Sequence, residues 1–236
     1  MPKSPAQPNQ SLIDGLEVLK LLAVHEGGIG SREAARQLGL EPTRANRLLK
    51  TLGALGLARQ GADAKYAAGP GMHVLAAQSL VGSGFVRRSI APLESLRDLG
   101  LTVAMGVLWR RQVCYLYFAG PTTSPTDALG GRGLFAAERS AIGMPLLAAL
   151  PDVDVRSLYA DADAGALDAV LAGLRGVHEQ GYAHLPADAG RDAAAVGVAV
   201  GAPPYAAIAL AGAFNPANVP KLVQRLHAAA TAIASP

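Results

Sequence analysis

Ser31–Leu55 reads SREAARQLGLEPTRANRLLKTLGAL, and the punctuation of this stretch decides the fold. Ser31 suits a helix N-cap, and Glu33 falls in the first turn, where a carboxylate meets the helix dipole favourably. The helix so opened runs to about Leu38. Gly39 can take the left-handed conformation that a tight turn between helices requires. Pro42 suits the first turn of the next helix, because its missing N–H is not needed there. That third helix spans Thr43 to about Leu55 and buries Ala45, Leu48, Leu49 and Leu52. Ala34-Ala35 lets the two helices approach closely, which completes a helix-turn-helix pattern.

The other side of the third helix carries Thr43, Arg44, Asn46, Arg47 and Lys50, residue types that hydrogen-bond base edges and phosphates. Ser31 and Arg32, at the start of the second helix, join this candidate set. Upstream, Ser11–His25 reads as an amphipathic helix with Leu12, Leu16, Leu19 and Ala23 on one stripe, widened by Ile13, Leu21 and Leu22. Gly27-Gly28 stops it. Downstream, 56–69 reads as a short β-hairpin with a polar tip, a wing on which Arg59 and Lys65 are placed to reach backbone phosphates.

Charge supports this reading by its location. The chain of 236 residues carries a net charge of +3; residues 1–70 hold nine Lys or Arg against six Asp or Glu, and the remainder holds twelve of each. The whole positive excess therefore lies in the first third, which suggests a polyanion partner for that module and something else for the rest.

The segment SLIDGLEVLKLLAVHEGGIGSREAARQLGLEPTRANRLLKTLGALGLARQ, with KYAAGPGMHVLA after it, resembles the N-terminal domain of the IclR family of regulators. RLLKTL followed by a Gly-Leu step and a wing ending in Tyr and Gly carries the likeness. It continues through SIAPLESLRDLGLTVAMGVL, SAIGMPLLAAL, GLRGVHEQGYAH and YAAIALAGAFNPANVPKLVQRLHAAATAI, so it covers nearly the whole chain from Ser11. The resemblance implies a winged helix-turn-helix over 11–69, linker helices over 70–100 and a GAF-like effector domain over 101–236. It also implies a repressor of transcription that binds a palindromic operator as a homodimer or tetramer, with a small-molecule effector and no cofactor.

Beyond the wing, Pro70 to about Leu80 reads as a helix, Gly82-Ser83-Gly84 breaks it, and 85–98 resumes it. From Leu101 the period changes. Thr102–Trp109 and Val113–Ala119 are strand-like runs joined by a hairpin, and 120–133 reads as a loop. Helices at about 141–150, 153–159 and 166–180, strands at 182–185, 194–201 and 205–211, and a last helix over 216–233 describe an α+β domain.

By the family resemblance the effector site is lined by Met105 and Tyr117 of the first strands, Leu129, the segment Ala141, Ile142, Gly143 and Met144, and Ala195, Ala209 and Ala211 of the late strands. A helix start near 141–144 could receive an anion on its N–H groups. Yet the late strands read AAVGVAV and AIALAG, with alanines where the family pattern often has serine or cysteine, and Met144 stands where Lys is common. An apolar or aromatic effector fits such walls better than a small polar acid. The same alanines could also simply pack a core.

Other chemistry finds little support. The five histidines are scattered and Cys114 stands alone, so neither a metal-ligand spacing nor an internal disulfide is expected. Gly130-Gly131-Arg132-Gly133 lacks the Lys-Ser/Thr of a phosphate loop. Cys114, alternating with Tyr115 and Tyr117, reads as a buried structural thiol. No catalytic constellation emerges. The polar start, Met1–Gln10, shows no export signal, and no run approaches the ~18 apolar residues of a membrane span, so a cytoplasmic protein is expected. Two other readings stay open: a small-molecule-binding enzyme whose N-terminal bundle only mediates assembly, and a winged helix that binds protein rather than DNA.

Overall fold

The computed structural model describes residues 7–124, 126–129, 133–188 and 192–235. The first six residues of the polar start, and Gly130, Gly131 and Arg132 of the glycine run, lie outside them. The chain divides into two compact units, one ending at Gly84 and one beginning at Phe85. This boundary falls at the Gly82-Ser83-Gly84 break within 70–100, the segment read from the sequence as linker helices.

In the first unit α1 (Gln10–Val24), α2 (Ser31–Leu38) and α3 (Pro42–Ala54) precede a hairpin of β1 (Ala58–Gln60) and β2 (Tyr66–Ala68), and α4 (Pro70–Ser83) closes it. Asn9 caps α1 by accepting from the Leu12 N–H at 3.1 Å. Gly39 ends α2 in the left-handed region, φ 63°, and Pro42 opens α3. Ser31 proves to be the first helical residue rather than the cap, which is Gly30. The wing is tied back to the body: Ile29 and Tyr66 exchange two backbone hydrogen bonds of 2.8 Å. Val18, Leu22, Ile29, Ala34, Leu49, Leu52, Ala58 and Tyr66 form the core.

One expectation fails in α1. Of the stripe Leu12, Leu16, Leu19 and Ala23 only Leu19 packs against the core, in part; the buried positions are Asp14, Val18 and Leu22, an i, i+4, i+8 row that includes one residue of the expected widening. Leu12 and Leu16 are 60% and 55% exposed. Asp14 on that row turns inward and meets a cation on α3.

In the second unit α5 (Phe85–Glu94) and a 3₁₀ turn (Arg97–Leu99) lead into β3 (Thr102–Trp109), β4 (Gln112–Ala119) and β5 (Leu134–Ala136). Then follow α6 (Gly143–Ala148), α7 (Asp152–Leu158), α8 (Ala164–Gln180), β6 (Ala183–Leu185), β7 (Ala194–Val200), β8 (Ala206–Gly212) and α9 (Val219–Ala234). The six strands form one antiparallel sheet in the order β5-β4-β3-β8-β7-β6. Side chains alternate across it, so each face buries its own set. One face packs on α5 and α9 through Met105, Tyr117, Val196, Val198, Ile208, Leu210 and Leu226. The other meets α6, α7 and α8 through Ala104, Val113, Ile142, Leu147, Leu174 and Ala207. The α+β class is as read from the sequence. No helix among the described residues is long and apolar enough to cross a membrane.

Candidate nucleic-acid interface and ligand cavity

On α3, Thr43, Arg47 and Lys50 are exposed and lie three and four residues apart, on one stripe, with Asn46 half-buried beside them. Arg59 on β1 and Lys65 at the wing tip are exposed, as is Arg32 near the start of α2; Ser31 is half-buried. Among the described residues the side chains of Arg32, Arg47, Lys50 and Arg59 make no ion pair, whereas Lys65 stands 3.5 Å from Asp63 in an exposed pair. Arg36 is engaged by Glu33, to which Gln37 also donates at 2.7 Å. Hydrogen bonds from Arg36, and then from Gln37, lower the Glu33 carboxyl to about 2.

Arg44 differs from its neighbours. Its Nε lies 2.6 Å from Oδ2 of the buried Asp14, in a charge contact rather than a directed hydrogen bond. Asp14 also accepts from Gln10 at 2.7 Å. The guanidinium therefore has a place in the fold, tying the start of α3 to α1, before any contact with DNA.

In the second unit a cavity of about 450 Å³ opens between the sheet and the segment that leads into α6. Its floor is alanine: Ala104 of β3, Ala195 of β7, Ala209 and Ala211 of β8. Tyr115 and Phe118 of β4 and Phe135 of β5 form an aromatic wall, with Tyr115 edge-on to both at centroid distances of 5.6 and 5.2 Å. Arg139, Ser140, Ala141 and Ile142 cover it, and Thr102, Leu185, Asp192 and Ala193 complete the rim. The cover can lie this close because Gly197 faces it: a Cβ there would fall 2.0 Å from the Ala141 carbonyl oxygen.

Of the residues expected at the effector site, Ala141, Ile142, Ala195, Ala209 and Ala211 come together here. Met105 and Tyr117 do not; both are fully buried on the opposite face, against the α5 and α9 layer. Met105 alternates with Ala104 along β3 and so faces away, whereas for Tyr117 the cause is a bulge in β4. Met105 pairs with Tyr117 but Gly106 pairs with Tyr115, so Leu116 is the extra residue and the alternation resets. Tyr115 and Phe118, three apart, thereby share the cavity face. Leu129 lies in the loop after β4, bridged to Tyr117 and nearly half exposed. Gly143 is pressed against Ala137, and Met144 lines a separate 110 Å³ pocket beside Gly173 of α8.

The late strands are apolar, as expected, and so is most of the cavity lining. Its polar groups come from other elements: Arg139, Ser140, Thr102, Asp192 and the Tyr115 hydroxyl, which lies 3.1 Å from Ser140 Oγ. Sequence reading missed these, along with the aromatic wall. The anion-receiving helix start is partly occupied by the chain itself, because Ser140 Oγ accepts from the Ile142 N–H at 3.1 Å and the Ser140 carbonyl from Met144 N–H at 3.0 Å. Cys114 is half-buried in β4, and burial pushes its thiol up.

A helix-turn-helix with a two-stranded wing, joined to an α+β unit that encloses a cavity, defines a two-domain class of winged helix-turn-helix protein. Residues 11–62 match the family model of the IclR helix-turn-helix domain. An IclR-family transcriptional regulator from Brucella abortus superposes with a TM-score of 0.80 at 22% identity, covering 98% of this chain and 93% of that one. A regulator of the same family from Silicibacter sp. TM1040 gives 0.80 at 20% identity, covering 94% of each chain. An IclR homologue from Microbacterium hydrocarbonoxydans, solved in complex with 4-hydroxybenzoate, gives 0.69 at 18% identity, covering 94% of this chain and 97% of that one. No curated protein matches the chain in sequence. Residues 11–62 thus form an IclR helix-turn-helix domain, and the chain has the fold of IclR-family transcriptional regulators over almost its whole length. The resemblance read from the sequence is borne out.

Proposed function

We propose that the chain is a sequence-specific DNA-binding repressor of the IclR type, working in the cytoplasm, whose affinity for DNA is set by a small effector in the C-terminal cavity. The observation that carries the DNA reading is the exposed Thr43–Arg47–Lys50 stripe of α3, without ion-pair partners for its cations, beside a wing that presents Arg59 and Lys65. Thr43, Asn46 and Arg47 are placed to read base edges in the major groove, and Ser31, Arg32, Lys50, Arg59 and Lys65 to hold phosphates. Arg44 fixes α3 in place and contributes its outer face. The protein acts as a homodimer or tetramer on a palindromic operator, and no catalytic step is assigned to it.

The cavity favours an aromatic or apolar effector: an aromatic wall, an alanine floor and few convergent polar groups. An aromatic carboxylate suits it, the ring against Tyr115, Phe118 and Phe135 and the acid group toward Arg139 and Ser140. The 4-hydroxybenzoate complex of the Microbacterium relative supports that choice of probe. For the probe to act on DNA binding it must bind the DNA-competent and DNA-incompetent states unequally.

The test is binding to DNA flanking the protein's own coding region, followed by fluorescence anisotropy across a salt series. Specific binding with a steep negative salt slope is expected. The pair Arg47→Ala, Lys50→Ala should weaken operator binding by about a hundredfold or more, each contact being worth ~1–3 kcal/mol. Unchanged affinity in the double variant, or affinity indifferent to salt, would sink the assignment.

A further inference from the structure

Tyr117 is a fully buried tyrosine that the cavity does not use, and its hydroxyl leads elsewhere. It donates to the carboxylate of Glu94, the last residue of α5. Glu94 in turn accepts from Arg97 Nη1 at 3.1 Å. The other end of that guanidinium donates to three backbone carbonyls of the loop leaving β4: Gly120 at 3.5 Å, Pro121 at 3.4 Å, and Thr123. Thr123 closes the same loop by accepting from the Gly120 N–H at 3.0 Å. One strand is therefore clasped to the end of one helix twice, once through a side chain and once through the loop that follows it.

The placement of Tyr117 gives this clasp its meaning. The bulge at Leu116 puts Tyr115 and Phe118 on the cavity face of β4 and turns Tyr117 to the other. A displacement of the aromatic wall moves the backbone that carries Tyr117, and the clasp passes that movement to α5. α5 follows Gly84 directly, so its start is where the chain passes from one unit to the other. We infer that the Tyr117–Glu94–Arg97 clasp is the positioning device by which occupancy of the cavity is transmitted to α5. Burial, and then the bond to Glu94, push the Tyr117 phenol up to about 12, so it stays a proton donor at every physiological pH. The inference rests on reading the cavity as the effector site, but its test needs neither the effector nor the operator.

The test is a double-mutant cycle read by backbone hydrogen exchange in the full chain. Ala209→Leu fills the alanine floor and stands in for an occupant. It should change exchange of the α5 amides, 85–94, by about fivefold or more, the lower end of ordinary coupling between sites. Combined with Tyr117→Phe, which keeps the ring and removes the hydroxyl, the same substitution should leave α5 unchanged. Combined with Glu94→Gln, which keeps an acceptor, it should retain its effect. A merely structural tyrosine predicts something else: Tyr117→Phe would raise α5 exchange equally with and without Ala209→Leu. That result overturns the inference, as does an α5 indifferent to Ala209→Leu. Should the phenylalanine variant not fold, Glu94→Leu removes the acceptor from the helix side and reads the same cycle. Failure of 4-hydroxybenzoate to bind the wild-type chain would count against the effector reading and leave this cycle intact.

Discussion

A guanidinium that neutralises a buried carboxylate costs the fold something when it is withdrawn, and this separates two arginines three residues apart on α3. Arg44 meets the buried Asp14 at 2.6 Å; Arg47 projects into solvent and pairs with nothing among the described residues. Breaking a fully buried pair costs several kcal/mol, and the part-exposed side chain of Arg44 reduces that figure. Arg44→Ala is therefore expected to lose about 1–3 kcal/mol of stability in urea unfolding, and Arg47→Ala less than about 0.5. Equal losses would remove Arg44 from the structural role given to it. The sequence shows both arginines as polar residues of one recognition helix and cannot tell them apart. The difference lies in the rotation of α1, which no periodicity reveals, because the leucine stripe and the Asp14 row compete for the same core. At the cavity, Ala195, Ala209 and Ala211 came from the family resemblance, and regular alternation along β7 and β8 keeps them on one face. The faces of Tyr115 and Tyr117 were not legible, because a one-residue bulge reverses alternation and leaves no mark in composition.

Among the elements, those with local punctuation were readable: the Gly39 and Pro42 boundaries of α2 and α3, the wing, and the long strands β3, β4, β7 and β8 all fall within a residue or two of their expected ends. β5 was missed; three residues at a sheet edge have no periodicity of their own. α6 is six residues long, starting two residues later than expected where Gly143 packs against Ala137 and ending two residues earlier, ahead of Pro151. What these elements build together is a void with an alanine floor, and that makes side-chain volume the variable to test. Ala209→Leu places three extra carbons in the cavity, so its destabilisation should be smaller than the ~1–3 kcal/mol typical of overpacking a filled core. In calorimetry it should weaken 4-hydroxybenzoate at least about tenfold, since the floor space that the ring would occupy is gone. A wild-type chain that binds the probe, and a leucine variant that binds it equally well, would place the effector outside this cavity.

At the scale of the whole molecule, α4 is the element the folded monomer leaves unexplained. It runs for 14 residues, PGMHVLAAQSLVGS, without one buried side chain, and Val81 is 81% exposed. Helices of this length are marginal in water unless an apolar face is packed, and among the described residues α4 is tied to its own unit only at its start, where the Gly71 N–H donates to the Gly56 carbonyl at 2.9 Å. Val74, Leu75 and Leu80 are exposed on it too, and α1 of the same unit leaves Leu12 and Leu16 in solvent. Scattered exposed leucines need no explanation, but a whole apolar helix does. A second copy of the chain is the partner that the proposed palindromic operator would call for, since its two recognition helices would have to stand one helical turn of DNA apart. The protein should therefore sediment as a dimer or larger at micromolar concentration. Val74 and Val81 are seven residues apart, on one face of α4. Val74→Glu with Val81→Glu should yield a monomer, lower the helical signal by the contribution of α4, and weaken operator binding by about two orders of magnitude or more as paired half-sites become single contacts. Sedimentation of the wild-type chain as a monomer would end this account of α4, and a charged double variant that remains dimeric would move the interface elsewhere.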